Sequence, residues 1–299
     1  MSNRQWLRAY EVTIGRGGGE GIKTSALRVE FSIKKGDSES PNEATVRIWN
    51  LADETLMRSK KEFDRVMLQA GYQENYGLIY SGNIIGQRII RENAADKILE
   101  LTCGDGDEAY ISAVLNRTLA AGARPGDIVD AVHGSFDEYG VSAGATPELG
   151  GRRLPRGKVM FGMARKYARE AAHTNDMSWS IQDGKMIMVA NNGYLPGEAV
   201  VLTHKTGLIG SPEQTNEGVK IRCLLNPKIR VNGRVKIDNA SVQEAKKDTG
   251  KDAKQPAALN ADGFYRVIQI TYIGDTHGQD WYCDMVCVSI DATSDRTVD

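Results

Sequence analysis

Two stretches of this chain recur, faintly and in the same order, in its last third. Asn42-Glu43-Ala44-Thr45-Val46-Arg47-Ile48 matches Asn216-Glu217-Gly218-Val219-Lys220-Ile221. Asp96-Lys97-Ile98-Leu99-Glu100-Leu101-Thr102-Cys103 lies over Asp280-Trp281-Tyr282-Cys283-Asp284-Met285-Val286-Cys287. Such an echo constrains the fold more than composition does, because each copy has the same apolar face to bury. The expectation is two related β domains with a helical segment inserted between them. The alternative is chance similarity among strands that draw on the same few residues, and a different strand order in the two regions would decide for chance.

The first hundred residues alternate in the manner of short strands. Leu27, Val29, Phe31 and Ile33 are apolar at every second position, so they face one side of a sheet while Arg28, Glu30 and Ser32 face the other. Strands are predicted over 6–14, 26–33, 44–51, 66–72, 78–90 and 97–103, a spacing that suits a barrel or sandwich. Then the period changes. Asp105 followed by Glu108 reads as a helix N-cap, and Tyr110, Ile111, Val114, Leu115 and Leu119 recur at helical spacing until Gly122. A short helix follows Pro125-Gly126-Asp127, and a third is predicted over 158–172, with Met160, Met163, Ala164, Tyr167, Ala168 and Ala171 in one stripe. A Gly- and Arg-containing loop, 140–157, lies between them.

Strand signals return over 177–190, where Asp183-Gly184 between alternating apolar runs predicts a tight hairpin. Further strands are expected over 219–225, 229–237, 264–273 and 281–290. The segment 239–262, including the Lys246 to Lys254 run, has no periodicity and reads as a flexible loop. These signals divide the chain into 1–104, 105–210 and 211–299.

Composition sets limits on function. At 299 residues the chain has room for two or three domains, and 38 basic against 39 acidic side chains argue against a dedicated nucleic-acid binder. Four cysteines, Cys103, Cys223, Cys283 and Cys287, are too few and too scattered for a disulfide framework and suggest reduced thiols. Cys283 and Cys287 share a strand face but stand about 13 Å apart at strand rise, beyond disulfide reach. No segment approaches about 18 consecutive apolar residues and the N-terminus lacks a signal-type apolar core, so neither export by the usual signal nor membrane insertion is expected.

The chemistry-bearing motifs fall short when read in detail. Gly15-Arg16-Gly17-Gly18-Gly19-Glu20-Gly21 resembles a phosphate loop, but Ile22 separates the last glycine from Lys23 and a strand follows where a helix is needed. It reads as a loop between strands, and Arg16, Gly18 and Glu20 become candidates for subunit contacts. Gly274-Asp275-Thr276-His277-Gly278-Gln279-Asp280 gathers carboxylates and an imidazole, a combination that suits metal or acid–base work, yet glycine and aspartate also belong in a hairpin turn. Asp275 and His277 are interface candidates as well. His133, His173 and His204 stand apart from one another, and neither a G-x-S-x-G elbow nor an H-E-x-x-H pair is present. No catalytic, cofactor-binding or metal residue is assigned, and no cofactor is expected.

Several segments together resemble a known family. Val46-Arg47-Ile48-Trp49-Asn50-Leu51 with Thr55, Val66-Met67-Leu68-Gln69-Ala70-Gly71-Tyr72 and Ile79-Tyr80-Ser81-Gly82-Asn83-Ile84 resemble the opening β domain of baseplate hub proteins of contractile-tailed bacteriophages. Gly263-Phe264-Tyr265-Arg266-Val267, Gly274-Asp275-Thr276 and Asp280-Trp281-Tyr282 resemble that family's closing pattern. The resemblance covers both β regions, about half the chain. It implies an α+β, mainly β fold of two tail-tube-like β-barrel or sandwich domains, with an inserted helical segment and a small β-hairpin region. It also implies a homotrimeric, non-enzymatic ring in the virion baseplate, assembled in the host cytoplasm. Its partners would be a tail tube protein, a central spike protein, and wedge or tape-measure proteins. Phage DNA would pass through the ring without specific binding. A spike or hub component of a tailocin or bacterial contractile secretion system, and a tail-associated cell-wall hydrolase, are the competing readings.

Overall fold

The computed structural model describes residues 7–16, 21–93, 95–151, 153–243 and 259–290. The N-terminal half supplies β1 (Arg8–Gly15), β2 (Gly21–Thr24), β3 (Val29–Gly36), β4 (Glu43–Trp49), α1 (Asp53–Glu62), β5 (Arg65–Tyr72), β6 (Asn75–Arg91) and β7 (Lys97–Gly104). The middle supplies α2 (Asp107–Ser112), β8 (Val114–Leu119), α3 (Pro125–Asp137), β9 (Ser142–Ala143), β10 (Lys158–Met163), α4 (Ala164–Thr174), β11 (Met177–Gln182) and β12 (Lys185–Ala190). The C-terminal half supplies β13 (Val200–Leu202), β14 (Leu208–Gln214), β15 (Val219–Leu224), β16 (Arg234–Ile237), β17 (Phe264–Asp275) and β18 (Trp281–Ser289).

In the N-terminal half the strands lie in the order β3, β4, β7, β6, β5. In the C-terminal half they lie β14, β15, β18, β17, β16, which is the same order of first, second, fifth, fourth and third strand. Fine detail repeats as well. A β-bulge falls between Ile84 and Gly86, opposite Cys103 and Thr102. Its counterpart falls between Val267 and Gln269, opposite Cys287 and Val286. Bulges re-aim a strand and are built-in features, so one at the same step of two ladders marks corresponding positions.

The halves are continuous. The second half of β17 pairs antiparallel with β3, Gln269 opposite Gly36 through Asp275 opposite Glu30, and thirteen strands join in one sheet. Every second residue of β3, β4, β15 and β18 is buried, and residues of both halves meet in a single apolar core with Phe31, Val46, Leu101, Ile221, Tyr272 and Trp281 among its members. The inserted middle has a second core around Phe136, Met160, Tyr167 and Trp179. That separation is what a unit inserted between two copies of a sheet motif should show.

Local signals explain most elements. Pro125 opens α3, and the Asp127 carboxylate accepts the Arg124 N–H at 2.7 Å. Asp183 and Gly184 both take positive φ, 55° and 75°, and turn β11 into β12 as the dipeptide predicts. Two predicted helices are corrected. Residues 114–119, whose apolar spacing read as helical, form β8, because Val114–Leu119 pairs along its whole length with Lys158–Met163. For the same reason the predicted helix over 158–172 begins only at Ala164, after Gly162 at φ 137°. Asp105 is not an N-cap: Gly106 holds that position and the Asp105 carboxylate is turned inward. The strand expected over 229–237 shortens to β16, and α1, β2, β9, β13 and β14 have no counterpart among the predicted elements. The Gly18, Glu20 and Lys246 to Lys254 readings fall outside the described residues.

Candidate assembly interface

The face of the shared sheet turned away from the core is polar and runs unbroken across both halves. One row of cross-strand neighbours reads Arg222, Asp284, Thr271, Lys34, Glu43. Another reads Asp275, Glu30, Arg47, Glu100, Arg88. Arginines and carboxylates of these rows stand beside one another, and several are paired. Arg47 Nε donates to Glu100 at 2.8 Å, and Arg88 Nε donates to the other Glu100 oxygen at 2.5 Å. Arg222 binds Asp284 through both Nε and Nη2, at 2.6 and 2.8 Å. The two arginines hold the Glu100 carboxyl below the usual range.

The Arg–carboxylate pair is itself repeated. Ala44 stands opposite Cys103 and Val219 opposite Cys287, which places Arg47 over Arg222 and Glu100 over Asp284. The letter match had set Val46-Arg47-Ile48 on Val219-Lys220-Ile221, two residues out of step. A slip of two leaves every side chain on its proper face, so periodicity could not reveal it. The same correspondence aligns Arg65-Val66-Met67-Leu68 of β5 with Arg234-Val235-Lys236-Ile237 of β16, a match visible in the letters but missed.

The turn after β17 is a clasp between the halves. Arg8 donates to the carbonyls of Asp275, Gly278 and Gln279 at 2.9, 2.6 and 2.9 Å, with its guanidinium 5.4 Å from the Trp281 ring centroid. Arg28 pairs with Asp275 at 2.9 Å, and Val29 and Thr276 exchange two hydrogen bonds. Burial opposes ionisation of Asp275, but the Arg28 hydrogen bond and the His277 and Gly278 N–H groups outweigh it and hold the carboxyl below its ordinary value. His277 is exposed, and its N–H donates to Asp275 at 2.9 Å. Among the described residues, no three of His, Cys, Asp and Glu gather as a metal shell. Arg16 is exposed at the far end of β1 from Arg8, about 25 Å along the strand at ordinary rise. The structure therefore keeps Arg16 apart from Asp275 and His277.

A buried polar knot ties the insertion to the sheet. Asp105, fully buried, accepts N–H bonds from Asp183 at 2.5 Å and Gly184 at 2.8 Å in the hairpin turn. Lys35, 4% exposed, reaches Asp183 at 2.5 Å, and Asn42 donates to the Ile181 carbonyl at 2.8 Å. Burial and the neighbouring Asp183 charge push the Asp105 carboxyl up to about 6, against the pull of Lys35 and the two N–H groups. A cleft of about 570 Å³ opens beside the knot, and its one lining carboxylate, Asp183, is already paired with Lys35. Outside the sheet, the β8–β10 ribbon leaves Val159 and Phe161 more than 70% exposed. All four cysteines are buried and free, and Cys223 stands opposite Cys283.

The family model described as baseplate hub gp41 matches residues 9–242. The chain belongs to that family. As a baseplate hub it is a structural component of the bacteriophage tail, placed in the virion's baseplate. Solved structures share the hub's fold. The E. coli c3393 protein, a component of the type VI secretion system, superposes with a TM-score of 0.60 at 10% identity, over 94% of this chain and 77% of that one. The 43 kDa tail protein of prophage MuSo2 from Shewanella oneidensis gives 0.58 at 8%, over 93% and 97%. The tail protein from Neisseria meningitidis MC58 gives 0.58 at 8%, over 95% and 97%. Among curated proteins, none matches the hub in sequence.

Proposed function

We propose that this hub is a homotrimeric adaptor ring in which three chains present six similar sheet units around a channel. The observation that carries the reading is the repeated ladder: the same strand order, the same bulge step and the same Arg–carboxylate pair in each half. Six near-equivalent units suit a sixfold tail tube on one side, while three chains suit a threefold central spike on the other. Wedge or tape-measure proteins would bind the periphery, and assembly would take place in the host cytoplasm.

The polar face of the sheet would line the channel. Duplex DNA is gripped by unpaired Lys and Arg that displace counterions from its phosphates. Here Arg47, Arg88 and Arg222 are each engaged by a carboxylate, so the wall neither grips nor strongly repels DNA in transit. The role is structural and non-enzymatic. A place in a tailocin or a secretion machine is the second reading, favoured by the fold shared with the type VI component. Light scattering on the purified chain tests the ring: three chains of 32.7 kDa give about 98 kDa, and a monomer at every concentration would contradict it.

A further inference from the structure

The repeat leaves two edges without their counterparts. β17 has two partners on one edge: its first residues pair with β16 and its second half, beyond the bulge, pairs with β3. β6 is the matching strand of the N-terminal half. Its first residues pair with β5 up to Asn83, but beyond the bulge no described strand pairs with that edge over Gly86–Arg91. Conversely, β3 has β17 on its outer edge, whereas its counterpart β14 is the terminal strand of the sheet. The junction made once within the chain is therefore half-built at each end.

Resting on the reading of the chain as a ring subunit, we propose that the seam between subunits is β6 of one copy paired antiparallel with β14 of the next, Ile90 opposite Glu213. The register follows from correspondence. Ile273 faces Ser32 across the internal junction, Ile90 occupies the place of Ile273, and Glu213, opposite Lys220, occupies that of Ser32 opposite Thr45. The contact is head-to-tail, so it closes into a ring when the rotation permits.

Three features of the two edges suit this partner. Glu213 has no ion pair among the described residues, and the seam sets it diagonally from Arg88, within reach for a same-face pair. Exposed isoleucines flank both edges, Ile85 at 55% and Ile209 at 38% exposure. The β14 edge also accepts a strand already: Gln243 donates to the Pro212 carbonyl at 2.8 Å and accepts from the Gln214 N–H at 3.0 Å. That single bridge protects the edge of a lone chain and yields to the longer β6 ladder.

Thiol cross-linking of the full chain tests the seam, since the four native cysteines are buried. Opposed Cβ atoms in a ladder lie about 4.5–5.5 Å apart, within reach of a short thiol-bridging reagent. The Ile90→Cys, Glu213→Cys double variant should give covalent trimers on a denaturing gel. Each single variant should give none, because position 90 meets only position 213. An equimolar mixture of the two single variants should give covalent dimers and nothing larger. A double variant of trimer mass by light scattering that yields no covalent species overturns the seam and leaves the ring standing. A monomer mass overturns both.

Discussion

The two halves of the sheet share a ladder but not its surroundings. Between the second and third strands of the repeat, the N-terminal half packs α1, with Leu56 and Phe63 in the core; the C-terminal half uses a short turn that buries Leu225, Ile229 and Val231 instead. At the start of the fifth strand the N-terminal half has Lys97, paired with Asp53 at the surface, where the C-terminal half has Trp281. Trp281 is 2% exposed, packs edge-on against Phe31 with ring centroids 5.4 Å apart, and donates to the Gly71 carbonyl at 3.1 Å. The ladder is what the repeat preserves. The side chains that differ are those that join one half to the other.

Substitutions at matched positions should therefore be unequal, most of all at this one. Trp281→Ala should cost about 3–5 kcal/mol in urea unfolding, the range for removing a large buried aromatic. Lys97→Ala at the corresponding place should leave the midpoint almost unmoved. Equal losses would show that the position serves the ladder and not the junction.

The next effect distinguishes the knot, which only the N-terminal half carries. Asp105→Ala should cost about 1–3 kcal/mol, because it strands the buried N–H groups of Asp183 and Gly184. The pH dependence has a definite sign. The folded Asp105 holds its proton up to about 6, while an unfolded aspartate releases it near about 3.9. In that window the folded state binds more protons, so stability falls as pH rises, and Asp105→Asn should remove that slope.

The smallest effect compares the repeated ion pairs. Glu100, held by two arginines, ionises more readily folded than unfolded. Its contribution is present above the ordinary glutamate value, about 4.3, and is lost as pH falls through the lower folded value. Glu100→Gln should cost about 1 kcal/mol near neutrality and flatten this acid limb. Asp284→Asn, which releases only Arg222 at a more exposed site, should cost less than about 1 kcal/mol. Matching unfolding curves for the two variants would show the pairs to be equivalent.

The strands on either side of these pairs were legible in the sequence because alternation and turn chemistry are local. Leu27 to Ile33, Asp183-Gly184 and Pro125 each carry their own physical reason. The helix read over Tyr110 to Leu119 stops at Ser112, because β8, which follows, is decided by a partner about forty residues away, a pairing that local spacing does not encode. The Arg47–Glu100 and Arg222–Asp284 repeat was half-legible: the acids aligned, but the arginines were hidden by a two-residue slip that keeps all faces correct. Asp105 read as a cap because its local pattern was sound, although its partners lie in a distant hairpin. Arg16 and Asp275 entered as interface candidates from two separate turns, and the distance between them was not legible because it is set by β1, whose Arg8 end, not its Arg16 end, meets the Asp275 turn.

Electron cryomicroscopy of the purified chain, viewed down the ring axis, tests the central claim most directly. The five-strand ladder appears twice in each chain and the insertion with its second core only once. A ring built in this way should show sixfold-like density in an inner wall surrounded by threefold density. An inner layer with only threefold repetition, or particles without a central opening, would contradict it.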